Sequence, residues 1–234
     1  MKRRYFEYNI IFLIISMFSM YFFTAKPVSG EAPRIVQNSK EVRSDINQSS
    51  PFAAIEKTYA EVNTLTAKFN QNILISSLKK DRTFAGHFFY KRHKGFLWQY
   101  VSPKGKYFLY DGSYIWQGED EKTYVQKSRV DRDKTDGTFL DLVEDISKLD
   151  ELFNLKHRAK TEDGELLELL PKKDSTIRMA RVWIDRKNLV KKIELHEFTG
   201  NINTIEFASI KVNQSVEDAK FIFKLDRQKE IVER

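Results

Sequence analysis

The chain has 234 residues with 40 Lys and Arg against 33 Asp and Glu, a net charge of +7. That length allows one large domain or two small ones, and 41% hydrophobic and 13% aromatic residues can fill a sizeable core. Cysteine is absent, which excludes a disulfide framework, a Cys nucleophile, Cys-ligated zinc, iron–sulfur chemistry and acylation of this chain as a bacterial lipoprotein.

Residues 1–30 read as a secretory signal. Lys2, Arg3 and Arg4 make a positive start, and Ile10 to Phe23 is an apolar run broken only by Ser16 and Ser19. A membrane-spanning helix needs roughly 20 apolar residues, more than this run offers. Val28-Ser29-Gly30 supplies small residues for cleavage after Gly30. The other reading is an uncleaved anchor, since Tyr21, Phe22 and Phe23 are bulky. Cleavage removes Lys2, Arg3, Arg4 and Lys26 with Glu7, leaving 36 basic groups against 32 acids, a net of +4. These charges alternate in sign along the chain, whereas a nucleic-acid binder gathers basic residues into a stripe. Residues 31–50 are polar and form a flexible leader, so the folded domain is expected over 51–234.

Ser50-Pro51 is a helix start, with Ser as N-cap and Pro at the first helical position. Phe52, Ile55, Tyr59 and Val62 then give about three turns with one apolar face. From Leu65 the period is two, and Leu65, Ala67, Phe69, Gln71 and Ile73 share a face. Beyond the turn Lys79-Lys80-Asp81, Phe84, Gly86, Phe88, Tyr90 and Arg92 share the next face. Phe96 to Val101 follows, closed by Ser102-Pro103-Lys104-Gly105. Tyr107 to Tyr110 and Tyr114 to Trp116 flank Asp111-Gly112, a hairpin signal. Lys122 to Lys127 is a further short strand. Such spacing is that of an antiparallel meander folded as a sandwich or barrel.

Asp131 to Gly137 breaks the pattern. Thr138 and Asp141 start a second helix whose stripe is Phe139, Leu142, Val143, Ile146 and Leu149. Strands resume near Phe153 and run through Leu166–Leu170, Ile177–Ile184, Val190–Phe198, Asn203–Val212 and Phe221–Leu225. The total is about eleven strands, and the fold class is mainly β.

Catalytic signatures are missing. There is no G-x-S-x-G, G-x-G-x-x-G or phosphate loop. His87, His93, His157 and His196 lack metal-ligand spacing, so no metal or cofactor is expected. Glu119-Asp120-Glu121 is a solvated turn. Nothing in the sequence asks for an enzyme. The aromatics stand out: Phe84, Phe88, Tyr90, Phe96, Trp98, Tyr100 and Trp116 occupy even positions in neighbouring strands. They form either a packed core or the wall of a lipid cavity. Arg92 shares that parity. It then needs an acceptor, such as backbone carbonyls at a helix C-terminus, unless it reaches water at the strand end.

Phe69-x-Gln71, Gly86-His87-Phe88-Phe89-Tyr90-Lys91-Arg92, Phe96-Leu97-Trp98-Gln99-Tyr100 with Pro103, Asp111-Gly112 and Trp116 resemble the periplasmic outer-membrane lipoprotein carrier family, LolA. So do Leu170-Pro171, Ile184-Asp185 with Leu189-Val190, and Phe221-Ile222-Phe223. The resemblance covers about residues 52–225. It implies an unclosed antiparallel β-barrel with an α-helical lid. It also implies a monomeric shuttle that takes lipoprotein acyl chains from an inner-membrane ABC transporter to an outer-membrane receptor lipoprotein. A module binding or sensing other lipids on the same fold is the alternative. Arg92 matches the family's lid-tethering arginine. The implied acyl-chain cavity gathers Phe69, Phe88, Tyr90, Phe96, Trp98, Tyr100, Trp116, Phe139, Leu142 and Ile146. A charge at Phe96 is expected to perturb cargo exchange or lid closure. Two features depart from the pattern. His93 replaces the Pro after Arg92, implying a less rigid strand end, and little chain follows Phe223 for the extra strand of some members.

Overall fold

A computed structural model describes residues 50–130, 149–173, 176–226 and 228–233. The expected signal peptide, the leader up to residue 49 and the stripe Phe139, Leu142, Val143 and Ile146 lie outside the described residues. Among the described residues are helix α1 (Ala53–Ala60), β1 (Thr64–Ile75), β2 (Lys80–Lys91), β3 (Gly95–Ser102), β4 (Lys104–Tyr110), β5 (Tyr114–Glu119) and β6 (Tyr124–Arg129). Then come α2 (Leu149–Leu152), β7 (Phe153–Thr161), β8 (Gly164–Pro171), β9 (Ile177–Asp185), β10 (Val190–Glu197), β11 (Ile202–Val212) and β12 (Glu230–Glu233). All twelve strands form one open sheet in the order β12-β6-β5-β4-β3-β2-β1-β11-β10-β9-β8-β7. Every neighbouring pair is antiparallel except β12 with β6, which is parallel.

Strict alternation explains the strands. In β1, Leu65, Ala67, Phe69, Gln71 and Ile73 are buried, and Lys68 and Asn70 between them are exposed. That apolar set belongs to an inner face. Trp98 on β3 and Leu167 on β8 line one cavity on it although six strand spacings separate them. A flat sheet would hold them roughly 29 Å apart at ~4.8 Å per strand. The sheet therefore curls into an unclosed barrel. Its β1–β4 side is filled by rings: Phe69 lies 4.7 Å from Trp98 and 5.2 Å from Tyr100, and Phe96 lies 5.6 Å from Tyr110. Gly86 lets this happen, because a Cβ there would come within 2.6 Å of the Phe69 ring. The opposite side is aliphatic, with Leu167, Leu169, Val182 and Leu195 buried.

The ends differ from the sequence reading in three ways. Helix α1 begins at Ala53 with Phe52, not Ser50, at the N-cap. Phe52 is fully buried, and the Pro51 carbonyl accepts from Arg158 of β7. Burial of the phenyl ring thus sets the start of the helix. Phe221–Leu225 is not a strand: Asp218–Phe221 is a 3-10 turn, and Phe223 stacks on Trp116 at 3.8 Å and 5°. Room for a further strand does exist, and β12 fills it along β6.

Candidate functional site

The C-terminal carbonyls of a helix lack internal partners. In α1 they are satisfied from across the sheet. Arg92, one residue past β2, donates through Nε to Val62 O (3.1 Å). Its Nη2 donates to Tyr59 O (2.7 Å), Ala60 O (3.0 Å) and Val62 O (2.8 Å). The positive guanidinium also faces the negative end of the helix dipole. Asn213 takes the rest: its Nδ2 donates to Glu61 O (3.0 Å) and its Oδ1 accepts from Asn63 N (2.7 Å). In the same last turn, Asn188 donates to Thr58 Oγ1 (3.2 Å), and the backbone N–H of Val190 donates to the Tyr59 hydroxyl (3.0 Å). Burial pushes that hydroxyl up to about 12, so it is neutral at physiological pH. The helix thus lies across the barrel opening, its last turn held from the β2–β3 and β9–β10 turns and Pro51 ahead of it held from β7.

The turn that carries Arg92 is left-handed at its tip. His93 has φ +61° and Gly95 φ +128°. Proline is locked near −65°, so a Pro cannot occupy position 93 in this turn. The departure from the family pattern is therefore built into the backbone here.

Beneath α1 lies a cavity of about 90 Å³. Arg92 sits at its rim, with Phe88, Tyr90 and Trp98 on one wall and Leu167, Val182 and Leu195 on the other. The lining is apolar apart from Arg92 and the Tyr59 and Tyr90 rings.

The other expected wall residues divide. Phe69, Phe96 and Tyr100 share the inner face but are packed into its core, outside the cavity lining. The Tyr100 hydroxyl donates to Gln71 Oε1 (2.9 Å), and Gln71 Nε2 donates to Asn203 Oδ1 (2.9 Å). Burial holds the Tyr100 hydroxyl well above its ordinary range. Trp116 is a correction. It lies on the outer face with Leu109, Val125, Val216 and Phe221, and its Nε1 donates to Asp111 Oδ2 (2.7 Å). The β4–β5 turn sets Tyr110 opposite Ile115, which flips the parity, so Trp116 pairs with outward Leu109. Phe139, Leu142 and Ile146 fall outside the described residues. The aliphatic wall, Asn203 and Asn213 escaped sequence reading. The alternation Leu167, Leu169 and Ala180, Val182, Ile184 carried the signal for the wall, while the asparagines act over contacts of more than a hundred residues.

Among the described residues no three His, Asp or Glu side chains gather to hold a metal.

Residues 60–224 match the family model of the outer membrane lipoprotein carrier protein LolA. The chain is similar to the outer-membrane lipoprotein carrier protein of Pseudomonas putida, 28% identical over 72% of this chain and 81% of that one. It is likewise similar to that of Azotobacter vinelandii, 27% identical over 73% and 82%. Its fold resembles an uncharacterized conserved protein from Thermus thermophilus, with a TM-score of 0.50 at 9% identity over 77% of this chain and 95% of that one.

Proposed function

The chain belongs to the LolA family of outer membrane lipoprotein carrier proteins, and on that footing we propose that it binds lipoprotein acyl chains beneath α1 and shuttles them across the periplasm. In this reading the signal is cleaved after Gly30, and residues 51–234 form a monomeric carrier domain. Cargo arrives from an inner-membrane ABC lipoprotein-releasing transporter and leaves to a receptor lipoprotein in the outer membrane. Arg92 is the lid latch. No reaction, metal or cofactor is assigned, and no nucleic acid is bound.

One observation carries the reading: an apolar cavity is roofed by a helix whose end is held by hydrogen bonds, from Arg92 on one side and Asn213 beside it. Hydrogen bonds are worth about 1 kcal/mol each net, and acyl burial about 0.8 kcal/mol per CH₂. A cargo chain of ordinary length therefore releases enough free energy to displace the latch and hold the lid open. A lid tied by apolar packing alone would open at greater cost.

The test is release of a lipoprotein from inner-membrane vesicles by the purified protein, with the transporter and ATP present. Release into a soluble complex, slowed or trapped by Arg92→Leu, is the expected result. Binding of a fluorescent fatty acid without any lipoprotein release would assign the fold to another lipid. Wild-type transfer by Arg92→Leu would remove the latch.

A further inference from the structure

Phe69 and Gln71 are both buried on the inner face, yet neither lines the cavity. Across β1, β2 and β3 the lining ends on one rung of the sheet, the paired residues Ala67, Phe88 and Trp98. The next rung away from α1 is Phe69, Gly86 and Tyr100. It faces the same way but lies outside the lining. Phe69 fills the middle of this rung. Gly86 beside it has no side chain, and the Phe69 ring lies against that backbone, 4.7 Å from Trp98 and 5.2 Å from Tyr100.

Polar groups follow directly. The Tyr100 hydroxyl, Gln71 and Asn203 form a hydrogen-bonded bridge from β3 to β11, across four neighbouring strands. All three residues are buried. Asn203 is paired with Leu195, the residue of β10 at which the lining ends on the aliphatic wall. The bridge therefore joins the two walls at the end of the cavity remote from α1. Among the described residues, Asn203 Nδ2 meets no acceptor. Buried amides are tolerated where they are paired and costly where they are not. An alkyl chain driven past the Phe69 ring would part these hydrogen bonds and offer no donor or acceptor in return. Each polar group so orphaned costs more than one added methylene gains.

We infer that Phe69 and the Tyr100–Gln71–Asn203 bridge form the floor of the cavity and set how deeply an extended apolar chain enters. The inference rests on the acyl-chain reading and adds a length limit to it. The ring is the stop, and the bridge keeps the layer beneath it polar, so the ring has no apolar space to swing into. Methylenes beyond the floor stay at the mouth and add no affinity. Arg92 then governs whether a chain enters, and Phe69 how much of it is held.

The test is a chain-length series. The purified protein is titrated with saturated fatty acids from octanoate to eicosanoate, in competition with a fluorescent fatty acid. Affinity should rise about fourfold per methylene up to a break and then level off. Phe69→Ala removes the ring and should move the break about two methylenes further. A second variant keeps the test open should that one fold poorly. Tyr100→Phe with Gln71→Leu and Asn203→Leu replaces the whole bridge and leaves no partner orphaned, so the fold should persist. Its break should also move to longer chains. A steady rise through the longest chain in the wild type, or a break that neither variant moves, overturns the floor while leaving acyl binding in place. Failure to bind at any length removes the acyl-chain reading itself, and the floor with it.

Discussion

The carbonyl oxygen of Tyr59 accepts a 2.7 Å hydrogen bond from the Arg92 guanidinium, while the same residue's hydroxyl is bound from the opposite wall by the Val190 N–H (3.0 Å). One residue of α1 therefore spans the barrel opening.

Arg92→Leu should leave the sheet intact and loosen the helix. It removes a charged donor from three carbonyls. The expected loss of stability is about 2 kcal/mol. Hydrogen exchange reads it locally: amides of residues 56–62 should exchange at least tenfold faster, with β1 and β2 unchanged. Uniform acceleration throughout the sheet would mean that Arg92 holds the fold and not only the lid.

Position 93 tests the turn. His93→Pro conflicts with φ +61° and should cost more than about 1 kcal/mol. His93→Gly relieves a left-handed residue and should be neutral or slightly stabilising. Urea midpoints order the two variants. A Pro variant as stable as the wild type would show that the turn rebuilds.

Phe96 is buried between the Phe88 and Tyr110 rings, at 6.2 and 5.6 Å. The sequence suggested that a charge there would disturb lid closure or exchange. Its packing predicts a larger effect: Phe96→Glu should destabilise by about 4 kcal/mol or more, combining a cavity with an unpaired buried charge. Thermal unfolding checks this, and a midpoint close to the wild type would place the ring at an adaptable wall.

Asp218 ties the C-terminal segment to the β2–β3 turn, accepting from Lys91 (2.6 Å) and Lys94 (3.0 Å). Hydrogen bonds from these two lysines hold its carboxyl below the ordinary range. A depressed value means that the contribution is full above the unfolded value of about 3.9 and is lost as pH falls through the folded one. The pair is exposed, so the effect should be small and should fade in salt. Asp218→Asn should lower the urea midpoint at neutral pH and converge with the wild type in acid. A constant difference at all pH values would exclude the ion pairs as its source.

Much of this was legible in the sequence because a period of two is a local signal. Alternation placed Phe69, Phe88, Tyr90 and Trp98 on one face, and the need of Arg92 for acceptors pointed to a helix end. Parity carries across a hairpin only while the turn length preserves it. The β4–β5 turn does not, which is why Trp116 lies outside. Asn213 could not be read, since it meets Glu61 and Asn63 across some 150 positions. The start of α1 was misplaced for a similar reason: a capping signal is local, whereas the burial of Phe52 depends on the whole barrel.

An open sheet has two free edges, and a protein that opens an apolar interior risks joining its neighbours through them. Here the edges are unsuited to that. Strand β7 presents Lys156, Arg158 and Lys160 at alternate positions. At the other margin β12 is four residues long and fully exposed, with Glu at both ends and Glu233 paired to Lys127 (2.8 Å). Two copies meeting through matching margins would bring like charges together, and a copy meeting β12 would find only a short stretch of backbone to pair with. The barrel can thus remain incomplete while offering little continuous edge at β12 for another strand to extend.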